Sequence, residues 1–164
     1  MERVPAKKII WDEIHNRLLQ IKKENGYSIE VNRVERSHLE PFKASDFPAI
    51  NYWPGTDQLV KKQGDKELRE VSLTIEIYDR QSEVAMTDKA DQLEAEVKTA
   101  IWRSSLFPKI SDIPSQNLGG IVNSFSFDST TPAIGKGQAP FCGCVISVAI
   151  SYRVSESDAT KLVI

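Results

Sequence analysis

Val71-Ser72-Leu73-Thr74-Ile75-Glu76-Ile77-Tyr78 alternates apolar and polar side chains without a break. Successive side chains of a strand point to opposite faces, so this pattern predicts a strand with Val71, Leu73, Ile75 and Ile77 buried and Ser72, Thr74, Glu76 and Tyr78 toward water. A parallel sheet is covered on both faces and reads as a continuous apolar run. One-sided alternation therefore places this strand in an antiparallel sheet that needs a cover on one face only.

Toward the N-terminus, Phe47-Pro-Ala-Ile-Asn-Tyr-Trp53 reads as a shorter strand closed by the turn signal Pro54-Gly55. Pro48 has no amide donor and so belongs at the strand's start or on an edge. Thr56 to Glu67 holds Lys61, Lys62, Gly64, Asp65 and Lys66, with Leu59 and Val60 its adjacent apolar pair. It reads as a long solvated loop or a loose hairpin tip. His38 to Asp46, broken by Pro41, is a loop. Tyr27, Ile29 and Val31 alternate with polar residues and predict another strand. Before it, Ile10, Ile14, Leu18 and Ile21 recur at helical spacing within Val4 to Glu24, with Asn25-Gly26 as a C-cap.

Toward the C-terminus, Met86, Ala90, Leu93, Val97 and Ala100 form one stripe of a second helix, about Thr87 to Ser104. Trp102 lies nine residues past Leu93, about 180° around that helix, which predicts a ring opposite the stripe. Phe107 to Leu118 is a connection and Gly119-Gly120 a turn. Ile121, Asn123, Phe125 and Phe127 share one face of a further strand, and Ser129 to Pro140 reads as a flexible loop. Phe141 to Val154 is the last strand, with Cys142, Cys144, Ile146, Val148, Ile150 and Tyr152 on one face. The expected fold class is α+β, an antiparallel sheet of about five strands with two helices packed on one face. Residues 1–154 form one domain in this reading, followed by a C-terminal tail, 155–164.

Composition narrows the functional classes. A chain of 164 residues can bury a single core, and 40% apolar with 27% charged residues is the balance of a soluble globular protein. A net charge of −2 supplies no bulk attraction to nucleic acid. No run approaches the roughly 18 apolar residues that predict a membrane span. The charged N-terminus lacks the apolar centre of a signal peptide, so reduced thiols are expected. Cys142-Gly143-Cys144 offers two soft ligands where structural zinc takes four, and His15 and His38 stand on a helix and in a loop; two buried thiols are the expectation. Ile134-Gly-Lys-Gly137 lacks the earlier glycine and the following hydroxyl of a phosphate loop. Asp88, Asp91, Glu94 and Glu96 serve a solvated helix face, and no serine sits in a nucleophile elbow. No enzyme, metal or cofactor is expected. Trp53 and Trp102, off the apolar stripes, and Lys61 and Lys62 in the charged segment are the candidate contact residues, because large aromatics concentrate at protein interfaces.

The layout also carries a likeness. A helix with Arg17-Leu18, then Gly26-Tyr27, Phe47-Pro48-Ala49-Ile50, a charged segment, the Val-x-Leu-x-Ile-x-Ile strand, a helix with Leu93, Val97 and Ile101, and a strand ending Tyr152-Arg153-Val154 resembles the tail-terminator proteins of long-tailed bacteriophages and prophages. The resemblance spans about Val4 to Val154 and is one of layout and size. It implies a structural virion protein in a homo-oligomeric ring, usually a hexamer, that caps the tail tube, ends its polymerisation and prepares the head-joining surface. Tail tube and head–tail connector proteins would be its partners, the virion tail its place, and the host cytoplasm its site of assembly. A head-completion or joining protein is the alternative, and a small ligand-binding domain or enzyme a third.

Overall fold

The first helix, α1 (Ala6–Leu19), starts directly after Pro5 and lays Ile10, Trp11, Ile14 and Leu18 on the core. The structure, a computed structural model, describes residues 3–81, 84–103, 117–135 and 141–163. α1 is shorter than the Val4–Glu24 periodicity suggests. After Leu19 the chain turns through a single 3-10 turn (Lys23–Asn25), where the buried Asn25 amide donates to the Gln20 carbonyl and Gly26 adopts φ +86°. A left-handed residue there ends the helical path.

Tyr27–Val31 is corrected from a strand to an extended segment. Tyr27, Ile29 and Val31 are buried as their alternation requires. Their backbone, however, lies beside the end of α1: the Val31 amide donates to the Ile21 carbonyl, and Lys22 Nζ to the Val31 carbonyl. The strand, β1, is Arg33–Arg36, and it runs parallel to the next one.

β2 (Ala49–Gln63) and β3 (Lys66–Arg80) form a long antiparallel hairpin around Gly64-Asp65. Gly64 has φ +63°, as a two-residue hairpin turn demands. The expected turn at Pro54-Gly55 and the loop or loose hairpin tip over Thr56–Glu67 are both corrected. β2 runs on through Pro54 to Gln63 because β3 pairs with it there, a register shift between Pro54 and Asp57 absorbs the proline, and the turn is confined to Gly64-Asp65. β2 begins immediately after Pro48, which follows a cis peptide bond. α2 (Met86–Trp102) leads toward β4 (Ser124–Gly135) and β5 (Phe141–Ser155). The presumed loop Ser129–Pro140 is thus strand up to Gly135, with a register shift between Phe127 and Ser129; Lys136 to Pro140 lie outside the described residues, as does most of Phe107–Leu118. Pro132 is tolerated because β4 is an edge strand.

The sheet order is β1-β2-β3-β5-β4, mixed but mostly antiparallel. Ile14 of α1 and Ile101 of α2 meet over Leu73, Ile75, Val148 and Ile150, so both helices cover one face, as the α+β expectation required. Burying each such aliphatic side chain contributes about 1.5–3 kcal/mol. Arg17 is buried too: its Nε donates to Glu13 at 2.6 Å and its NH1 to the Ile101 carbonyl at 2.6 Å, clamping α1 to the end of α2. The opposite face, with Ser72, Thr74, Glu76, Ser147, Ala149 and Ser151, has no helix on it among the described residues and is half-buried to exposed. Ser155 onward folds back rather than trailing away. Val154 bridges Leu162, and Ala6 donates to the Ala159 carbonyl.

Candidate functional site

Two features of the uncovered side stand out, an aromatic cleft and an unpaired strand edge, and Trp53 belongs to both. The cleft encloses about 250 Å³. Its floor is built by strand alternation: Asn51 and Trp53 of β2 and Glu76 and Tyr78 of β3 all point away from the helices, with Asn51 paired to Glu76. Phe47 and Phe141 close one end, Tyr78 and Phe141 meeting edge-on with centroids 5.0 Å apart.

The cleft's wall is the segment His38 to Phe42, and it is fastened at several points. Asn51 accepts from the His38 amide at 3.0 Å and donates to the His38 carbonyl at 2.9 Å. Arg80 donates twice to the Ala44 carbonyl, and Asp46 accepts from the Lys43 amide. His38 stacks on Phe42 at 5.3 Å, and the Arg33 guanidinium lies 5.4 Å from the Phe42 ring centroid on its way to Glu35 and Asp46. The Lys43 amide bond and the Arg33 charge hold the Asp46 carboxyl below its usual range, against the opposing effect of desolvation. Burial, then the neighbouring Glu76 carboxylate, pushes Tyr78 up to about 12, so its hydroxyl keeps its proton at neutral pH.

The second feature starts where β1 stops. β1 covers the edge of β2 only from Ala49 to Tyr52, and the Ser37 amide takes the Tyr52 carbonyl. From Trp53 to Gln63 no described strand pairs with that edge. Leu59 and Val60 are 49% and 56% exposed along it. Unpaired edges invite pairing with another chain, and this one carries the usual guards: Pro54, two register shifts, and lysines at its far end.

Of the sequence-predicted contact residues, Trp53 lies half-buried in the cleft, while Lys61 and Lys62 are exposed roughly 26–30 Å along the same strand at ~3.3 Å per residue. Lys62 is paired with Glu156. Trp102 is elsewhere: half-buried against the core, its ring 5.0 Å from that of Phe125, rather than projecting clear of the fold. Trp11 is a core residue. The sequence reading missed the cleft, although one signal pointed to it. Tyr78 and Phe141 fall on the polar phase of otherwise amphipathic strands.

At the other end of the sheet a charged cluster ties four elements together. Asp57 of β2 accepts from Tyr152 of β5 at 2.8 Å, Arg69 of β3 at 3.0 Å and Lys7 of α1 at 2.9 Å, and Arg69 also binds Glu67 at 2.7 Å. Burial raises the Asp57 carboxyl, but the bonds from Lys7, Tyr152 and Arg69 outweigh it and hold the group below its ordinary value. The cluster fastens the N-terminal end of α1 to the distal hairpin.

Cys142 and Cys144 are both buried free thiols on the helix-covered side, Cys142 against the Arg80 carbonyl. Burial raises both, Cys144 to about 12. His15 bonds to the Tyr52 hydroxyl, and the His38 backbone amide donates to Asn51 of the cleft floor. Among the described residues no three His, Cys, Asp or Glu side chains gather as a metal set, and no helix is long and apolar enough to cross a membrane. Compared with models of known protein families and with curated proteins, the chain has no match.

Proposed function

We propose that this chain is a structural assembly protein of the tail-terminator type, a subunit that joins copies of itself in a ring on the end of a phage or prophage tail tube. The observation that carries the reading is the pair of free sheet edges. Among the described residues β2 offers an unpaired edge from Trp53 to Gln63, and β4 offers its outer edge at the opposite side of the sheet. Closed rings of more than two copies need a heterologous contact, in which one patch meets a different patch of the next subunit. Two chemically different strand edges on one domain meet that requirement. The resemblance in layout supplies the biological setting: the ring ends tube polymerisation, then receives the head.

The test is sedimentation velocity of the purified chain with and without tail tubes, beside imaging of tails assembled in its absence. A ring-sized species and overlong tails without the protein are expected. A chain that stays monomeric in both conditions, with tubes of uncontrolled length in its presence, refutes the proposal. Tails of normal length that lack heads assign it to joining instead.

A further inference from the structure

We infer that the aromatic cleft receives an arginine side chain presented by an extended segment of a partner protein that lies along the free edge of β2. The β2 edge that this segment takes is the one a neighbouring subunit would occupy in a ring, so the two are alternatives for that edge, and the inference concerns the chain with the edge open.

Its first support is charge. The ionisable side chains lining the cleft are His38, Glu40 and Glu76, and among the described residues neither glutamate is in an ion pair. Two arginines around the wall have other partners: Arg33 pairs with Glu35 and Asp46, and Arg80 donates to the Ala44 carbonyl. A carboxylate on the floor of an aromatic cavity with no cation paired to it is the complement of a cationic group.

The second support is shape. Trp53, Tyr78, Phe42 and Phe141 line the same cleft as Glu76, and a space of about 250 Å³ suits one long side chain rather than a folded element. Aromatic faces attract cations, and a flat guanidinium stacks on them while donating to a carboxylate in its own plane; an ammonium does only part of this. Arg33 over Phe42 is an example within this wall.

The third support is position. Trp53 is both a lining residue and the first residue of β2 that β1 leaves unpaired. A segment added to that edge by main-chain hydrogen bonds has one end beside the cleft mouth, so backbone pairing gives affinity and the arginine gives selectivity. The wall is already fastened by Asn51 and Arg80, so little ordering is needed when a side chain enters.

The experiment titrates the full chain with the peptide acetyl-Thr-Val-Arg-Val-Thr-amide, following Trp fluorescence and the salt dependence of binding. Matched peptides carry citrulline or lysine in place of arginine. Citrulline keeps the shape and removes the charge, so the protein itself is untouched in this comparison. Saturable binding of the arginine peptide is expected, at least about tenfold tighter than citrulline, the lower range for a charge-assisted hydrogen bond. Glu76→Gln should abolish that preference. No saturable binding by about 5 mM peptide, weaker than any useful contact, overturns the inference. Equal binding of arginine and citrulline overturns it too, and equal binding of lysine overturns the guanidinium assignment.

Discussion

Replacing Asp57 by Asn is the sharpest test of how the distal half of the sheet is held. The substitution keeps the shape and one oxygen acceptor but removes the charge that Lys7, Arg69 and Tyr152 share. A hydrogen bond to a charged group is worth about 1.5–3 kcal/mol and a neutral one about 1. Lys7 is 44% exposed, and its share is discounted for solvent screening; Arg69 and Asp57, at 24% and 14%, carry most of the loss. About 2 kcal/mol of stability is at stake, or roughly 4–8 °C in Tm for a domain of this size. The pH dependence follows from the direction of the shift. The folded carboxyl ionises below its unfolded value of about 3.9, so its contribution is complete above that pH and is lost as pH falls through the folded value. Urea unfolding at pH 7 and pH 3 should show the gap between wild type and Asp57→Asn shrinking at the lower pH. A difference below about 0.5 kcal/mol, or one that is the same at both pH values, refutes the account of the cluster as a charged clamp.

Gly143→Ala should cost about 3 kcal/mol or more, because a Cβ there would stand 1.9 Å from the Ile77 carbonyl oxygen; thermal melting checks it. A thiol reagent at pH 8 should leave Cys142 and Cys144 unmodified in native protein and modify both in urea, since each is buried with a raised pKa. Trp102→Ala should destabilise by about 2 kcal/mol, a partial share of the usual cost of a buried ring, through loss of its contact with Phe125. Self-association lost without any loss of stability would instead assign that ring to a subunit contact.

Strand alternation made the centre of this fold legible and the periphery much less so. Val71 to Ile77 and Cys144 to Tyr152 alternate because one face meets α1 and α2 while the other meets water, and the antiparallel pairing of β3 with β5 follows. Leu59 to Gln63 has no such contrast: both faces are wet, so the residues carry no period although all but Val60, at a register shift, pair with β3. Tyr27 to Val31 fails in the opposite sense. Its alternation reports burial correctly, yet alternate burial also suits an extended segment pinned to a helix end by Lys22 and Ile21. Parallel pairing of β1 depends on where the chain returns after α1, which no local pattern encodes. The cleft was hidden because its parts, Phe42, Trp53, Glu76 and Phe141, are far apart in the chain and only strand register brings them together.

The sheet thus divides into two halves with different physics. Over Leu73, Ile75, Val148 and Ile150 the helices exclude water, and hydrophobic burial is the main contribution there, with the Arg17 hydrogen bonds added to it. In the distal half only the first turn of α1 reaches the sheet among the described residues, and Asp57, Arg69, Tyr152 and the returning segment after Ser155 add ion pairs and hydrogen bonds there. Those contacts keep β2 extended past the end of β1 and so leave Trp53 to Gln63 unpaired. An edge with nothing to bind would be costly to maintain, since it exposes Leu59 and Val60 and risks indiscriminate pairing. Pro54, the two register shifts, Lys61 and Lys62 limit that risk without closing the edge, the arrangement expected of a surface that admits one partner and rejects others.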